Sequence, residues 1–234
     1  MEAAAMRLVV FDMAGTTVKD DDAVHRALAA TVADAGVRVT RDEVNAVMGL
    51  PKPDAIRRLL VEHGPGGAVD RIVPRLHAAF VARMRDHYAA HAEEVPGASE
   101  TFAALHQGGV LVALDTGFDR AIAAPILERI GWRARGLVDA VVTSDEVSHG
   151  RPAPDMIFEA MRRLDVASAD DVAKVGDTPA DLVEGTSAGC RFVIGVTSGS
   201  HTRAELVSHP HTHLVARLAD VVPIVLPGRV LRVA

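Results

Sequence analysis

The sequence predicts an α/β fold with a doubly wound parallel sheet, and three observations support this class. Short apolar stretches alternate with helical patterns through the second half of the chain, as expected of parallel strands joined by helices. An earlier apolar stretch, at residues 7–12, is followed by a long region without a convincing strand. A length of 234 residues with 49% hydrophobic residues suits one globular core that carries an inserted segment.

The elements follow in order from hydrophobic periodicity. The first strand covers residues 7–12. Helices separated by proline and glycine are then predicted at about residues 23–35, 41–48, 54–63 and 72–91. Further strands are predicted at 110–115, 140–144, 172–177 and 192–196, with helices at 120–130, 155–164 and 180–188. We therefore predict a core domain of residues 1–19 and 95–234, with residues 20–94 inserted as an all-helical cap domain.

Composition excludes several classes of protein. A formal charge of −6 argues against a general binder of nucleic acid or acidic membranes. No apolar run approaches the length of a membrane span, and the first residues lack a signal-peptide pattern. The single cysteine, Cys190, cannot form an internal disulfide and is expected to be a small buried side chain. We expect a cytoplasmic protein that acts on a small molecule, without nucleic-acid or membrane partners.

Acidic and hydroxyl side chains follow the predicted strands. Asp12, Asp115, Thr116 and Asp177 stand at strand ends, where doubly wound sheets place their ligand sites. Carboxylates suit a hard cation together with a phosphate group better than they suit a dinucleotide. Neither G-x-G-x-x-G after the first strand nor a Walker-type loop is present. The pattern favours Mg²⁺ and a phosphorus-containing ligand.

Four motifs, in this order, resemble those of the haloacid dehalogenase superfamily: FDMAGTT at 11–17, DTG at 115–117, GRPAP at 150–154 and GDTPAD at 176–181. Two departures are shared with phosphonoacetaldehyde hydrolase (phosphonatase) and its phosphonatase-like relatives. Ala14 stands where most members have a second acid, and Arg151 stands where most have lysine. A third match is MGLPKPD at 48–54, which resembles the phosphonatase segment that carries a Schiff-base lysine, here Lys52.

The resemblance implies a role for each matching residue. Asp12 would attack phosphorus and form an aspartyl phosphate, while Thr116 and Arg151 would bind the phosphoryl oxygens. Lys52 would form a Schiff base with the substrate carbonyl. The substrate would also contact Ala14, Met48, Gly49, Gly117 and Phe118.

The resemblance also implies a Mg²⁺ site. Asp12, the backbone carbonyl of Ala14 and Asp177 would hold the ion. Asp181, four residues after Asp177, would orient a ligand or Thr178 from behind. An acid in the first turn of a helix is the alternative role for Asp181.

The chemistry of two residues supports the phosphonatase interpretation. Without an acid at Ala14, the enzyme has no obvious group to protonate an alkoxide leaving group. Cleavage of a C–P bond instead needs a group that accepts the electron pair of the breaking bond, and an iminium on Lys52 would do so. Lys52 is one of only three lysines among 25 basic residues, and arginine could not form this bond.

Other features leave alternatives open. The phosphonatase pattern has a histidine and an aromatic hydroxyl where this chain has Ala55 and Phe118. The substrate is therefore phosphonoacetaldehyde or a related 2-oxoalkylphosphonate, or else the chain is a phosphatase of small phosphate esters in which Lys52 only binds charge. A non-catalytic, ligand-binding relative is the third interpretation. The resemblance also allows a homodimer through the cap, although the apolar helix near residues 23–33 could equally be cap core.

Overall fold

The computed structural model describes residues 5–64, 67 and 69–227. Its strands are β1 (Leu8–Asp12), β2 (Leu111–Thr116), β3 (Ala140–Thr143), β4 (Val172–Gly176), β5 (Phe192–Val196) and β6 (His213–Val215). They form one parallel sheet in the order β3-β2-β1-β4-β5-β6. This confirms the predicted fold class.

Helices cover both faces of the sheet. The helices are α1 (Ala23–Ala33), α2 (Arg41–Asn45), α3 (Lys52–His63), α4 (Val69–His91), α5 (Ala98–Gln107), α6 (Arg120–Ile130), α7 (Asp155–Arg163), α8 (Pro179–Ala188), α9 (Arg203–Leu206) and α10 (Val221–Val225). Side chains of β1 alternate between two apolar clusters, because neighbouring residues of a strand point to opposite faces. Val9 and Phe11 pack in the cluster that includes α5 and α10, whereas Leu8 and Val10 pack with α7.

The helical segment, residues 20–94, stands between β1 and α5 and contains α1 to α4. Its apolar faces pack on one another, with α1 and α3 both against α4. The buried residues of α1 include Val24, Leu28 and Val32, so this apolar face is already covered within the chain. The chain leaves and re-enters the sheet region at adjacent points, where Lys19 N–H donates to Glu93 O and Val95 N–H donates to Thr17 O. These paired crossings support the division into core and cap, which stays a prediction.

Several predicted boundaries were wrong. Helix α3 begins at Lys52 rather than Asp54, because Pro53 is tolerated in the first turn, where its missing N–H has no helical partner. Helix α4 begins at Val69 rather than residue 72. The prediction omitted α5 and β6. No helix in the described part of the chain is both long and apolar enough to cross a membrane.

Candidate active site

The candidate site lies at the carboxyl ends of the central strands. Asp12 ends β1, Thr116 ends β2, and Asp177 directly follows β4. Arg151 lies in the loop before α7, and Lys52 is the first residue of α3 in the helical segment. All five side chains are buried. The fold therefore brings together the residues that the sequence analysis assigned to the nucleophile, phosphate, metal and Schiff-base positions.

Arg151 is surrounded by acids. Its guanidinium nitrogens lie close to four carboxylates: Asp12 Oδ1 at 2.7 Å, Asp115 Oδ1 at 2.7 Å, Asp181 Oδ1 at 2.8 Å and Glu184 Oε2 at 3.2 Å. Burial alone would lower the pKa of Arg151, but these acids outweigh it and raise the pKa well above the ordinary value. The guanidinium thus stays charged. It lies beside Asp12, the candidate nucleophile, where it can also bind a phosphoryl group.

Lys174 and Glu184 complete this cluster, and the sequence analysis assigned neither to the site. Lys174 Nζ lies 2.8 Å from Glu184 Oε2 and 3.3 Å from Asp181 Oδ1, and it also contacts Asp115. Burial and Arg151 lower the pKa of Lys174, but the three acids raise it above the ordinary value. Burial, followed by the charge of Asp115, raises the pKa of Glu184. A lysine inside an otherwise apolar strand was the signal available in the sequence, because a fully buried lysine needs acidic partners.

Asp12, Asp177 and Asp181 form a group of carboxylates able to hold a metal ion. One oxygen from each lies within 4.8 Å of the others. Burial raises the pKa of Asp12 to about 8 and that of Asp177 to about 6, and the charge of Asp181 adds to both shifts. A cation would relieve this repulsion, and an all-oxygen donor set suits Mg²⁺. The residues present therefore fit a divalent metal. With Asp115, Glu184, Arg151 and Lys174, these carboxylates make up what we call the acidic floor.

The carboxylate of Asp177 is held by its surroundings. It accepts hydrogen bonds from Thr16 Oγ1 at 3.0 Å and from the backbone N–H of Ser200 at 2.5 Å. A Cβ at Gly15 or Gly199 would collide with this side chain, so both positions need glycine for close approach. The sequence analysis named neither Thr16 nor Ser200.

Asp181 contacts Thr178 and also lies in the first turn of α8, so the structure is compatible with both of the roles that the sequence left open. Its Oδ2 accepts hydrogen bonds from Thr178 Oγ1 at 2.6 Å and from Thr178 N–H at 3.1 Å. The Thr178 hydroxyl in turn caps the first turn of α8 by accepting from Asp181 N–H. Burial would raise the pKa of Asp181, but Arg151 and Lys174 lower it, so this acid is ionised.

Lys52 has a different environment from the acidic floor. Its Nζ donates to Leu50 O at 3.2 Å and lies 5.5 Å from the centre of the Phe118 ring. Among the described residues, no carboxylate lies within ion-pair distance of this nitrogen. Burial lowers its pKa to about 8; the charges of Asp12 and Asp20 act in the opposite direction. Lys52 is therefore a buried amine that loses its proton more easily than an ordinary lysine.

A small cavity joins Lys52 to the acidic floor. Its volume is about 20 Å³, enough for about one water molecule. Every position that the resemblance assigned to substrate contact lines this cavity: Ala14, Met48, Gly49, Gly117 and Phe118. Asp12, Thr116, Arg151 and Thr178 line it as well. The Cβ positions of Gly49 and Gly117 face Thr178 and the Leu50 backbone, so a side chain at either would block the approach of the helical segment.

One expectation outside this site needs correction. Cys190 is partly buried rather than fully buried, and burial raises the pKa of its thiol to about 12.

The match to a family model agrees with this arrangement. Residues 9–195 match the model described as haloacid dehalogenase-like hydrolase, which covers most of the chain and all four motifs. The chain belongs to this hydrolase family.

Curated relatives of this chain include proteins named phosphonoacetaldehyde hydrolase. A phosphonoacetaldehyde hydrolase from Syntrophobacter fumaroxidans is 34% identical over 92% of this chain and 82% of its own length. Another, from Parabacteroides distasonis, is 33% identical over 68% of this chain and 59% of its own length. Among solved structures, a phosphonoacetaldehyde hydrolase-like protein from Oleispira antarctica has a TM-score of 0.81 and 22% identity, covering 98% of this chain and 97% of its own. That likeness shows the fold.

Proposed function

We propose that this hydrolase cleaves the C–P bond of phosphonoacetaldehyde or a related 2-oxoalkylphosphonate. One observation carries the proposal: a buried lysine whose pKa is lowered to about 8 shares a small cavity with Asp12, Thr116 and Arg151. A phosphatase of simple esters needs a cation near the phosphate, but it has no need of an amine that is easily deprotonated. The relatives named phosphonoacetaldehyde hydrolase support the same substrate class.

The first step uses Lys52. Its neutral amine attacks the carbonyl carbon of the substrate, and loss of water leaves a protonated imine. Near pH 7 a larger fraction of this amine is neutral than in an ordinary lysine, because burial favours its uncharged form. Phe118 and Leu50 O contact the nitrogen, and Lys52 and Asp12 line the same cavity.

The second step uses Asp12. Its carboxylate attacks phosphorus, the C–P bond breaks, and the bonding pair moves into the imine to give an enamine. Ala14 offers no acid at this point, and none is needed because the imine accepts the electrons. Protonation of the enamine carbon and hydrolysis then release the aldehyde, and water releases phosphate from Asp12. Arg151 and Thr116 would stabilise the charge on the transferring group.

The acidic floor would hold Mg²⁺ through Asp12 and Asp177, with the Ala14 carbonyl as a further ligand. A bound ion would supply positive charge to the phosphonate oxygens and keep Asp12 ionised. Asp181 would orient this ligand set through its fixed contacts with Arg151 and Thr178.

Access to the cavity requires movement of the helical segment. A volume of about 20 Å³ cannot admit a phosphonate, so α3 and the residues before it must separate from the strand ends. Closure would then exclude water until the imine has formed. We further propose a cytoplasmic protein with no nucleic-acid or membrane partner. A homodimer through the helical segment would need a surface other than the apolar face of α1, which is covered within the chain.

The test compares phosphate release from phosphonoacetaldehyde with Mg²⁺ by the wild type, Lys52→Arg and Lys19→Arg. Lys19 is the matched control because it is a surface lysine paired with Glu93 at 2.6 Å. Wild type and Lys19→Arg are expected to release phosphate, and Lys52→Arg is expected to lose at least about 10³-fold in rate, because guanidinium cannot form the imine.

The opposite pattern would contradict the proposal. No release from phosphonoacetaldehyde by the wild type, together with Mg²⁺-dependent release from p-nitrophenyl phosphate, would favour the phosphatase interpretation. Equal activity of Lys52→Arg and wild type would remove the imine from the mechanism even if the substrate is correct.

A further inference from the structure

The two cations of the acidic floor, Arg151 and Lys174, share their acidic partners. Asp115 Oδ1, Asp181 Oδ1 and Glu184 Oε2 each lie within ion-pair distance of both cations. One oxygen from each of these three acids also lies within 4.8 Å of the other two. Three buried carboxylates this close repel one another unless a cation lies among them. The Lys174 ammonium therefore gathers the same three oxygens that surround the Arg151 guanidinium.

Only one of the two cations reaches the reacting groups. Arg151 Nη1 lies 2.7 Å from Asp12 Oδ1, whereas the ion pairs of Lys174 in the described part of the chain do not include Asp12. The described residues that line the small cavity include Arg151 and Asp12 but neither Lys174 nor Glu184. Any effect of Lys174 or Glu184 on a bound phosphonate thus has to pass through a neighbour, and Arg151 is the neighbour that touches both sides.

The shared acids fix the orientation of the Arg151 guanidinium. Its Nη1 lies 2.8 Å from Asp181 Oδ1, its Nη2 lies 2.7 Å from Asp115 Oδ1, and its Nε lies 3.2 Å from Glu184 Oε2. A carboxylate thus lies beside every nitrogen of a planar group that carries five N–H donors. Contacts on all three nitrogens define both the plane of the guanidinium and its rotation within that plane. Each of these three contacts uses an oxygen that Lys174 also holds.

Stability alone does not account for a lysine at this position. Lys174 stands in β4 between Ala173 and Val175, which are both buried and apolar, so an apolar residue would suit the strand equally well. Replacement of a buried ion pair by apolar side chains of similar volume is often neutral or stabilising, because burial of charge is costly. The contact with the acids that orient Arg151 supplies a different reason for the buried charge.

We propose that Lys174 and Glu184 are positioning residues for the phosphoryl-transfer step, which hold the Arg151 guanidinium in the orientation that serves Asp12 and the transferring group. The inference rests on the proposed function, because it assigns supports to the arginine of that reaction. It also separates the two covalent steps. Lys52 contacts Leu50 O and Phe118, so imine formation does not depend on this support.

The experiment uses the charge-balanced double variant Lys174→Met/Glu184→Met. It removes one cation and one anion from the acidic floor, so we expect it to fold and to melt at or above the wild-type temperature. Phosphate release from phosphonoacetaldehyde with Mg²⁺ should nevertheless fall about 100-fold, because a small misplacement of a catalytic group has this effect. Borohydride trapping of the imine on Lys52, read as a mass increase of the intact chain, should keep the wild-type rate.

A matched control makes the same two changes in a lysine–glutamate pair elsewhere. Lys19 and Glu93 form an ion pair at 2.6 Å on the surface. Lys19→Met/Glu93→Met should release phosphate and trap the imine at the wild-type rates. If the buried double variant does not fold, Glu184→Gln replaces it, since glutamine keeps the size and an acceptor oxygen. Its phosphate release should fall about tenfold, because an ion pair becomes a weaker, neutral hydrogen bond.

A second comparison tests whether the two residues act through Arg151. Arg151→Lys keeps a cation but removes the planar fork that the three shared acids orient. Addition of Lys174→Met/Glu184→Met, or of Glu184→Gln, to Arg151→Lys should therefore lower phosphate release by much less than it does in the wild type. Residues that act through one another are non-additive in this way, whereas independent residues lose the same factor in both backgrounds.

The outcomes distinguish this inference from the proposed function. Wild-type phosphate release in the folded double variant, an equal fall in release and trapping, or the full further loss in the Arg151→Lys background overturns the positioning role and leaves the proposed function intact. If the wild type releases phosphate from p-nitrophenyl phosphate but not from phosphonoacetaldehyde, the proposed substrate is wrong. The comparison in the two Arg151 backgrounds then decides the positioning role with that ester. No release from either substrate overturns both.

Discussion

The two buried lysines of the site, Lys174 and Lys52, have opposite surroundings. Lys174 Nζ lies among three carboxylates in the acidic floor, and they raise its pKa. Lys52 Nζ has a single backbone acceptor and an aromatic ring, and burial lowers its pKa to about 8. The same side chain is therefore a fixed cation in one place and a proton-releasing amine in the other.

The contrast shows how the two halves of the site divide the chemistry. The acidic floor compensates charge with charge, which holds the Asp12 carboxylate at the end of β1 against the Arg151 guanidinium in the loop before α7. In the helical segment, Lys52 has no carboxylate within ion-pair distance among the described residues, and burial lowers its pKa. In this account the core supplies electrostatic order and the helical segment supplies a nucleophilic amine.

Replacing each lysine by methionine tests the contrast most strongly. Lys174→Met leaves Asp115 and Glu184 buried with one cation fewer, so we expect it to destabilise the protein by about 3–5 kcal/mol. Lys52→Met removes a buried amine without an acidic partner and should leave stability unchanged or raised. Thermal melting without added metal measures both, with a fall of roughly 10 °C expected for Lys174→Met.

A comparable loss in both variants would break the contrast. It would mean that Lys52 is held by an ion pair as Lys174 is, and that its amine is not free to react.

The protonation state of the Lys52 amine can be measured from the pH dependence of imine trapping, in which borohydride reduces the imine formed with phosphonoacetaldehyde. Its pKa is lowered from 10.5 to about 8, so the neutral amine is scarce below pH 8 and predominant above it. The trapping rate should rise about tenfold per pH unit below pH 8 and level off above it. A rate that continues to climb to pH 10 would indicate an ordinary lysine instead.

The smallest expected effect concerns a surface ion pair on the helix that begins at Lys52. Arg57 contacts Asp54 at 2.8 Å and Asp70 at 2.9 Å, and all three side chains are exposed. Arg57→Ala should change stability by less than about 1 kcal/mol, because water already solvates these charges. If Arg57→Ala lowered the melting temperature as much as Lys174→Met, burial would not explain why buried and exposed ion pairs differ in their effect on stability.

Much of the fold could be predicted from local patterns. The strands of the sheet centre are apolar and buried on both faces, so β1, β4 and β5 read clearly as strands. Strand β6 is short and at the sheet edge, and it begins with a partly exposed histidine, so periodicity gives no signal there. The predicted first residue of α3, Asp54, was two residues too late, because Pro53 was treated as a helix break. Proline is in fact compatible with the first turn of a helix.

The candidate site likewise contains residues that the sequence predicted and residues that it did not. Asp12, Thr116 and Asp177 follow from their positions at strand ends, and the motif resemblance added Lys52 and Arg151. The partners of Arg151 could not be predicted, because Glu184 lies on α8 and Lys174 on β4, and only the packing of helix on sheet brings them together. Gly185 permits that packing, since a Cβ there would lie 2.7 Å from Lys174 Cβ.

The most direct test of the account is to locate the trapped adduct. The wild type would be incubated with phosphonoacetaldehyde and borohydride, digested, and analysed by peptide mass spectrometry. The chain has three lysines, Lys19, Lys52 and Lys174, so the assignment is unambiguous. We expect one adduct on Lys52, with none on the ion-paired Lys174. An adduct confined to the surface residue Lys19, or no adduct at all, would contradict a buried amine that reacts with the substrate carbonyl.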